Sequence, residues 1–309
     1  MQNMHMLPED MQKANEYRYA RKHIDGYLRR YIEEDSVLAE LVEKGVELLK
    51  EWMNTNFSYE SKRVRVAALK TMDIRALVMD IVVGSAYCQA SEMFTSFTAQ
   101  MAGKLGFDDK LDSIKTVAEI TAVLCETDLY DLEKNDRFDS WKIVSNIDLP
   151  LNLQEFISNC TFLPPLVVKP KKLLHNRDTP YMTIGQESRI LNKGHHNGDI
   201  CLDVINSKNS VALRLDTEFL CLVEETPNKP LDSPEKVANW GNHKVQSYEF
   251  YTLMVAQGNK FYLDHKPDKR GRLYAVGYHI STQGSPIKKA MIELHHQEVV
   301  EGVPAEFML

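Results

Sequence analysis

Apolar positions recur at helical spacing through nearly all of the first 128 residues. That period predicts helices over 14–34, 36–54 and 61–83, with Ser36 as the cap of the second. Two more follow over 90–105, closed by Gly106 in the usual C-terminal position, and over 110–126, rich in Ile, Val, Ala and Leu. At Tyr130 the period drops to two. Residues 130–133 and 138–144 flank the polar stretch Lys134-Asn135-Asp136-Arg137, which predicts a β-hairpin. Leu163-Pro164-Pro165-Leu166-Val167-Val168-Lys169-Pro170-Lys171-Lys172 cannot be helical, because proline lacks the amide hydrogen and fixes φ, so this stretch is extended. Residues 202–224 and 245–262 carry helical patterns, and 226–242, with Pro227, Pro230 and Pro234, predicts a loop. Ser285-Pro286 opens a last helix, running to about His295, with Ser at the cap and Pro at the first helical position. The expected fold class is α+β, mainly α, in four successive segments: 1–128, 129–195, 196–262 and 263–309.

A chain of 309 residues can bury a real core and hold about two domains. Net charge is −7, which argues against a simple nucleic-acid coat. Local charge is what meets phosphate, however, and from Gly241 to Ala290 eight Lys and Arg face three Asp and Glu, a balance of +5. The five cysteines are widely spaced, odd in number and without a C-x-x-C pair, so reduced thiols are expected rather than a zinc site or a disulfide framework. No signal-peptide pattern opens the sequence. The longest apolar run, 76–86, is too short to span a bilayer and contains Asp80, so a soluble protein is expected.

Candidate chemistry concentrates in Pro267-Asp268-Lys269-Arg270-Gly271-Arg272-Leu273-Tyr274-Ala275-Val276-Gly277. Three cations stand beside an aromatic on a Gly-containing stretch. Strand alternation would put Arg270, Arg272 and Tyr274 on one face, and a guanidinium offers phosphate oxygens a rigid fork of donors. Gly271 lets a bulky backbone approach. A solvated basic turn is the plain alternative for such a short run. Two histidine pairs invite a metal reading. His195-His196 lies in a loop between Gly194 and Gly198 without a third ligand, and His295-His296 reads as surface, so neither is taken as a metal site.

Asn259-Lys260-Phe261, Asp268 to Val276 and Gln283-Gly284 together resemble, in order and spacing, the D-x-x-G-R region of the single-subunit RNA polymerases of mitochondria and T-odd bacteriophages. The resemblance is specific over 246–294, moderate over 163–224 and weak upstream. It implies that Lys269, Arg270, Gly271, Arg272 and Tyr274 contact template and RNA–DNA hybrid. Asp268 would orient an Arg of its own motif through a charge-assisted hydrogen bond. The Pro-rich stretch is similar to the family's crossing strand before the thumb, with Leu173 or Leu174 where the family has Trp. Lys169, Lys171 and Lys172 read as a solvated loop. Asn206 to Ser210 with Arg214 is similar to the family's pre-thumb helix. An ordinary surface hairpin is the favoured reading of the stretch with Lys134, Asn135 and Arg137, although by position it matches an intercalating hairpin of the family that props open upstream DNA.

Polymerase chemistry needs two Asp carboxylates holding two divalent metals, and in the family both follow D-x-x-G-R. After Asp268 this sequence has no Asp. The resemblance therefore implies the smaller chain of a heterodimeric phage-type RNA polymerase, as in N-four-like podophages. It would comprise a helical N-terminal domain (1–128), the hairpin and crossing segment (129–195), a pre-thumb and reduced thumb (196–262) and the start of a palm (263–309). A larger subunit would hold magnesium and the fingers helix, leaving no catalytic and no metal-ligating residue in this chain. Template DNA and nascent RNA are the implied ligands, and the cytoplasm of an infected bacterium is the implied location. The resemblance leaves open whether duplex promoters are read or a single-stranded DNA-binding activator is required. The apolar tail 299–309 suggests an extensive subunit interface, above the roughly 2,000 Å² at which permanent complexes begin. A non-enzymatic nucleic-acid-binding accessory protein derived from a polymerase is the alternative class. A metal-dependent nuclease is disfavoured, since no carboxylate cluster flanks the basic stretch.

Overall fold

The computed structural model describes residues 6–135, 140–159, 162–191, 198–297 and 302. The fold is α+β and mainly helical, with small sheets, as the patterning predicts. In chain order the first elements are α1 (Pro8–Tyr19), α2 (Arg21–Glu34), α3 (Ser36–Met53), α4 (Glu60–Leu69), α5 (Ile74–Ala86), β1 (Glu92–Met93), α6 (Phe94–Met101), α7 (Lys110–Leu124), β2 (Tyr130–Asn135), β3 (Ser140–Ser145) and α8 (Leu151–Asn159). There follow α9 (Leu202–Asn209), β4 (Leu213–Leu215), α10 (Thr217–Leu222), α11 (Pro234–Ala256), β5 (Asp264–Pro267), β6 (Leu273–Val276), α12 (Pro286–Ala290) and β7 (Ile292–Leu294). These group into two compact units. Ile24–Ile157 forms one, and Met1–His23 joins Ser158–Leu309 to form the other, so the hairpin stays with the helices that precede it.

In the Ile24–Ile157 unit, α5 is apolar nearly all round and buries Leu77, Val78, Met79 and every residue from Ile81 to Ala86, as a central helix must. α2, α3 and α7 turn Ile24, Leu28, Val42, Val46, Leu49, Val117 and Ile120 into the same core. The buried Arg65 is satisfied by Thr116 (2.6 Å) and Glu119 (3.1 Å). A three-stranded antiparallel sheet of order β1-β3-β2 closes one side, and the Tyr130 hydroxyl donates to the Thr121 carbonyl at 2.7 Å.

Several boundaries differ from the sequence reading. The helix expected over 14–34 is two, because Ala20 is extended (φ −80°, ψ 121°). Asp35 rather than Ser36 caps α3, its carboxylate accepting from the amides of Val37 and Leu38. The helix expected over 61–83 breaks after Lys70 and restarts behind the Asp73 cap. The strand β1 occupies the start of the expected 90–105 helix, pairing with β3.

The second unit is built around Leu213, Leu215, Phe250, Met254, Phe261, Leu263 and Met291. α1 belongs here. Tyr19 lies against Phe250 at 5.2 Å, and Asn15 and Gln257 exchange side-chain hydrogen bonds of 2.9 Å. The Pro-rich segment is non-helical, as expected, and Leu166 bridges Tyr262. The continuous helix expected over 202–224 is instead α9, β4 and α10, because Leu213–Leu215 pairs antiparallel with β7, eighty residues on. α11 starts at Pro234, inside the expected loop, because Ser233 caps the amide of Lys236. It also ends at Ala256 rather than at 262. Ser285 caps α12 as expected, but that helix stops at Ala290 where β7 takes over. Among the described residues no helix is long and apolar enough to cross a membrane.

Candidate nucleic-acid interface

The basic motif is a hairpin loop. β5 and β6 pair antiparallel with Pro267 opposite Leu273 and Lys266 opposite Tyr274. Asp268 and Arg272 close the loop, the Asp268 amide donating to the Arg272 carbonyl at 2.8 Å and the Gly271 amide to the Asp268 carbonyl at 3.0 Å. Gly271 sits at φ +82°, the left-handed position that a three-residue hairpin loop with a bulge requires. The glycine is therefore there for backbone geometry.

A single carboxylate organises both arginines. Asp268 Oδ1 accepts from the backbone amides of Arg270 (2.8 Å) and Arg272 (3.0 Å), while Oδ2 accepts from Arg272 Nε (2.9 Å) and Arg270 Nε (3.3 Å). Arg272 Nη2 also lies 2.8 Å from Oδ2. Burial pushes the Asp268 carboxyl up, but the amide, guanidinium and charge of Arg272 outweigh it and hold it below the ordinary carboxylate range. The Arg272 guanidinium lies 5.7 Å from the Tyr274 ring centre. The expectation that Arg270, Arg272 and Tyr274 alternate along one strand is corrected. Arg270 is in the loop, Lys269 and Arg270 are exposed at its tip, and only Arg272 and Tyr274 share a side.

Beside the loop lies a cleft of about 510 Å³, walled by Ile190, Ile200 and Pro267 and edged by Asp268, Lys269 and Gly271. Sequence reasoning missed what lies under the hairpin. Asp264 is buried and receives a two-pronged ion pair from the equally buried Arg189, at 2.9 and 3.0 Å. Asn209 Nδ2 adds a third bond to Asp264 at 3.2 Å, and its oxygen meets His265 Nδ1 at 2.9 Å. Two residues on, Lys266 pairs with Glu187 at 2.8 Å. The available signal was Asp264 and Lys266 at period two beside the apolar run 261–263. Charges on the inward face of a strand need partners.

Arginines engage the carboxylates of both Asp264 and Asp268. Among the described residues no group of three His, Cys, Asp or Glu converges as a metal site. The other predicted residues belong to other segments of the chain. Lys169, Lys171 and Lys172 are exposed, with Lys171 3.9 Å from Asp178. Arg214 pairs with Glu293 across β4 and β7 at 2.8 Å. Lys134 and Asn135 stand on β2 rather than in a turn, Lys134 opposite the exposed Trp141, while Arg137 lies outside the described residues. His195 and His196 also lie outside them, as does the tail 299–309 apart from Gly302. No family model and no curated protein matches the sequence.

Proposed function

We propose that this chain is the smaller subunit of a heterodimeric, phage-type DNA-dependent RNA polymerase, in which it grips template DNA and the RNA–DNA hybrid. The observation that carries the reading is the Asp268 loop, where one carboxylate fixes two exposed arginines beside Tyr274. Such a loop offers two planar guanidinium forks to phosphate oxygens and an aromatic face to a sugar or base. Together with the motif's resemblance, this favours a template grip over a solvated basic turn.

The chemistry divides between chains. A larger partner would hold magnesium on two Asp residues and select the nucleotide. This chain would keep template and hybrid in register. Positioning supplies a large part of phosphoryl-transfer catalysis, so these residues can be essential without touching metal. In the co-expressed two-chain complex, Arg272→Ala should lower primed RNA extension by about tenfold or more, equivalent to some 1.4 kcal/mol, with subunit association unchanged. Undiminished extension on a single-stranded template would remove Arg272 from the active centre. Template binding without any extension by the complex would favour the accessory protein.

A further inference from the structure

The loop segment 174–190 has no regular helix or strand, yet it is pinned at two places. Near its middle the Glu16 carboxylate of α1, fully buried, accepts from the amides of Met182 (2.8 Å) and Thr183 (2.6 Å) and from the Thr183 hydroxyl (2.6 Å). Toward its end Arg189 and Glu187 clasp Asp264 and Lys266 of β5. The two ion pairs alternate in sign. A shift of two residues along β5 would set Glu187 against Asp264, or Arg189 against Lys266, and a shift of one would turn the side chains away. Arg189, Asp264 and Lys266 are buried and Glu187 is exposed, so the costliest mispairing is Arg189 against Lys266, two like charges out of water. The Arg189 side chain is completely buried and its Nε has no hydrogen-bond partner among the described residues, so the guanidinium is committed to Asp264 at the expense of a donor.

We infer that Arg189 and Asp264, with Glu187 and Lys266, form a charge-keyed latch that fixes the position of the β5–β6 hairpin along segment 187–189 and so sets where Arg272 presents its guanidinium to nucleic acid. These are positioning residues, and the inference rests on the template-grip reading above. Asp264 begins β5, which runs straight into Asp268, and Lys266 stands opposite Tyr274, so the latch holds the base of the same hairpin whose loop carries the arginines.

The test separates folding from positioning. Replacing a buried ion pair by apolar residues of similar size is often neutral for folding. The full chain carrying Arg189→Met with Asp264→Leu is compared with wild type, with Arg272→Ala and with all three changes combined. The probe is a fluorescein-labelled single-stranded DNA carrying a short annealed RNA primer, read by anisotropy across a salt series. The latch predicts a near wild-type melting midpoint, affinity lowered by roughly tenfold and a salt slope shallower by about 0.7, the value for one lost single-strand phosphate contact. Adding Arg272→Ala should cost little more, because both changes remove the same contact. A folded apolar pair with wild-type affinity and slope, or losses that simply add to those of Arg272→Ala, would overturn the latch. If the apolar pair does not fold, Lys266→Met carries the test, with a smaller loss expected that is likewise non-additive with Arg272→Ala. Additivity or no loss there overturns the latch equally. Should wild type and Arg272→Ala bind alike, the grip reading itself fails and takes the latch with it, a result distinguishable from the others.

Discussion

Gly271 and Gly277 flank β6 and would meet the same substitution with different penalties. A Cβ at Gly271 finds nothing within 4 Å, so Gly271→Ala suffers only the left-handed backbone, about 1 kcal/mol. A Cβ at Gly277 would lie 2.3 Å from the Ile280 carbonyl oxygen, so chain must move, and Gly277→Ala should cost about 3 kcal/mol in urea unfolding. Equal losses at the two sites would refute this ordering. Two residues further, His279 is buried between Phe250 (ring centres 4.9 Å) and His243 (5.4 Å), with Nδ1 2.8 Å from the Ser247 hydroxyl. Burial first, then the charges of His243 and Lys288, hold its pKa down to about 4. Unfolding frees the ring to bind a proton at its ordinary 6.5. Stability is therefore full above pH 6.5 and falls as pH drops toward 4, by a total of order 3 kcal/mol. His279→Gln should flatten urea midpoints measured between pH 7 and 4.5. An unchanged pH slope would assign the effect elsewhere.

At the scale of elements, the buried residues of α1 are polar, namely Gln12, Asn15 and Glu16, while Met11 and Tyr19 pack against the apolar core. Besides its bonds to 182–183, Glu16 takes a 2.8 Å bond from Gln12, whose own oxygen accepts from the Val167 amide at 2.8 Å. Glu16→Ala would strip the amides of Met182 and Thr183 and the Thr183 hydroxyl of a charged acceptor and should cost about 3 kcal/mol, read as a fall in melting temperature. A loss under about 1 kcal/mol would mean that water or a shifted chain replaces the carboxylate. Elements written in local signals were legible. α3, α7 and the hairpin strands follow from their periods, and α12 from Ser285-Pro286. The start of α11 carries the same Ser-Pro signal at Ser233-Pro234, but three prolines within eight residues make the stretch look like loop. β4 was illegible for another reason. Its three residues sit in a helical pattern, and only the distant β7 makes them a strand.

Over the whole molecule, an acidic chain concentrates its positive balance of +5 in residues 241–290, which span most of α11, the hairpin loop and α12. Affinity for a primed template should therefore fall steeply with salt, and a flat salt profile would deny the loop its phosphate contacts. The cations of the Asp268 loop were legible because they stand together in the sequence. The latch was not, because Arg189 and Asp264 stand 75 positions apart and become partners only through folding. The most direct trial of the split-enzyme account uses separately purified chains, the partner being a larger polypeptide with two Asp-bearing polymerase motifs. Primed RNA extension with ribonucleotides and magnesium is measured for each chain alone and for the mixture. The account predicts product only from the mixture, and equal extension by the larger chain alone, or none from the mixture, would contradict it.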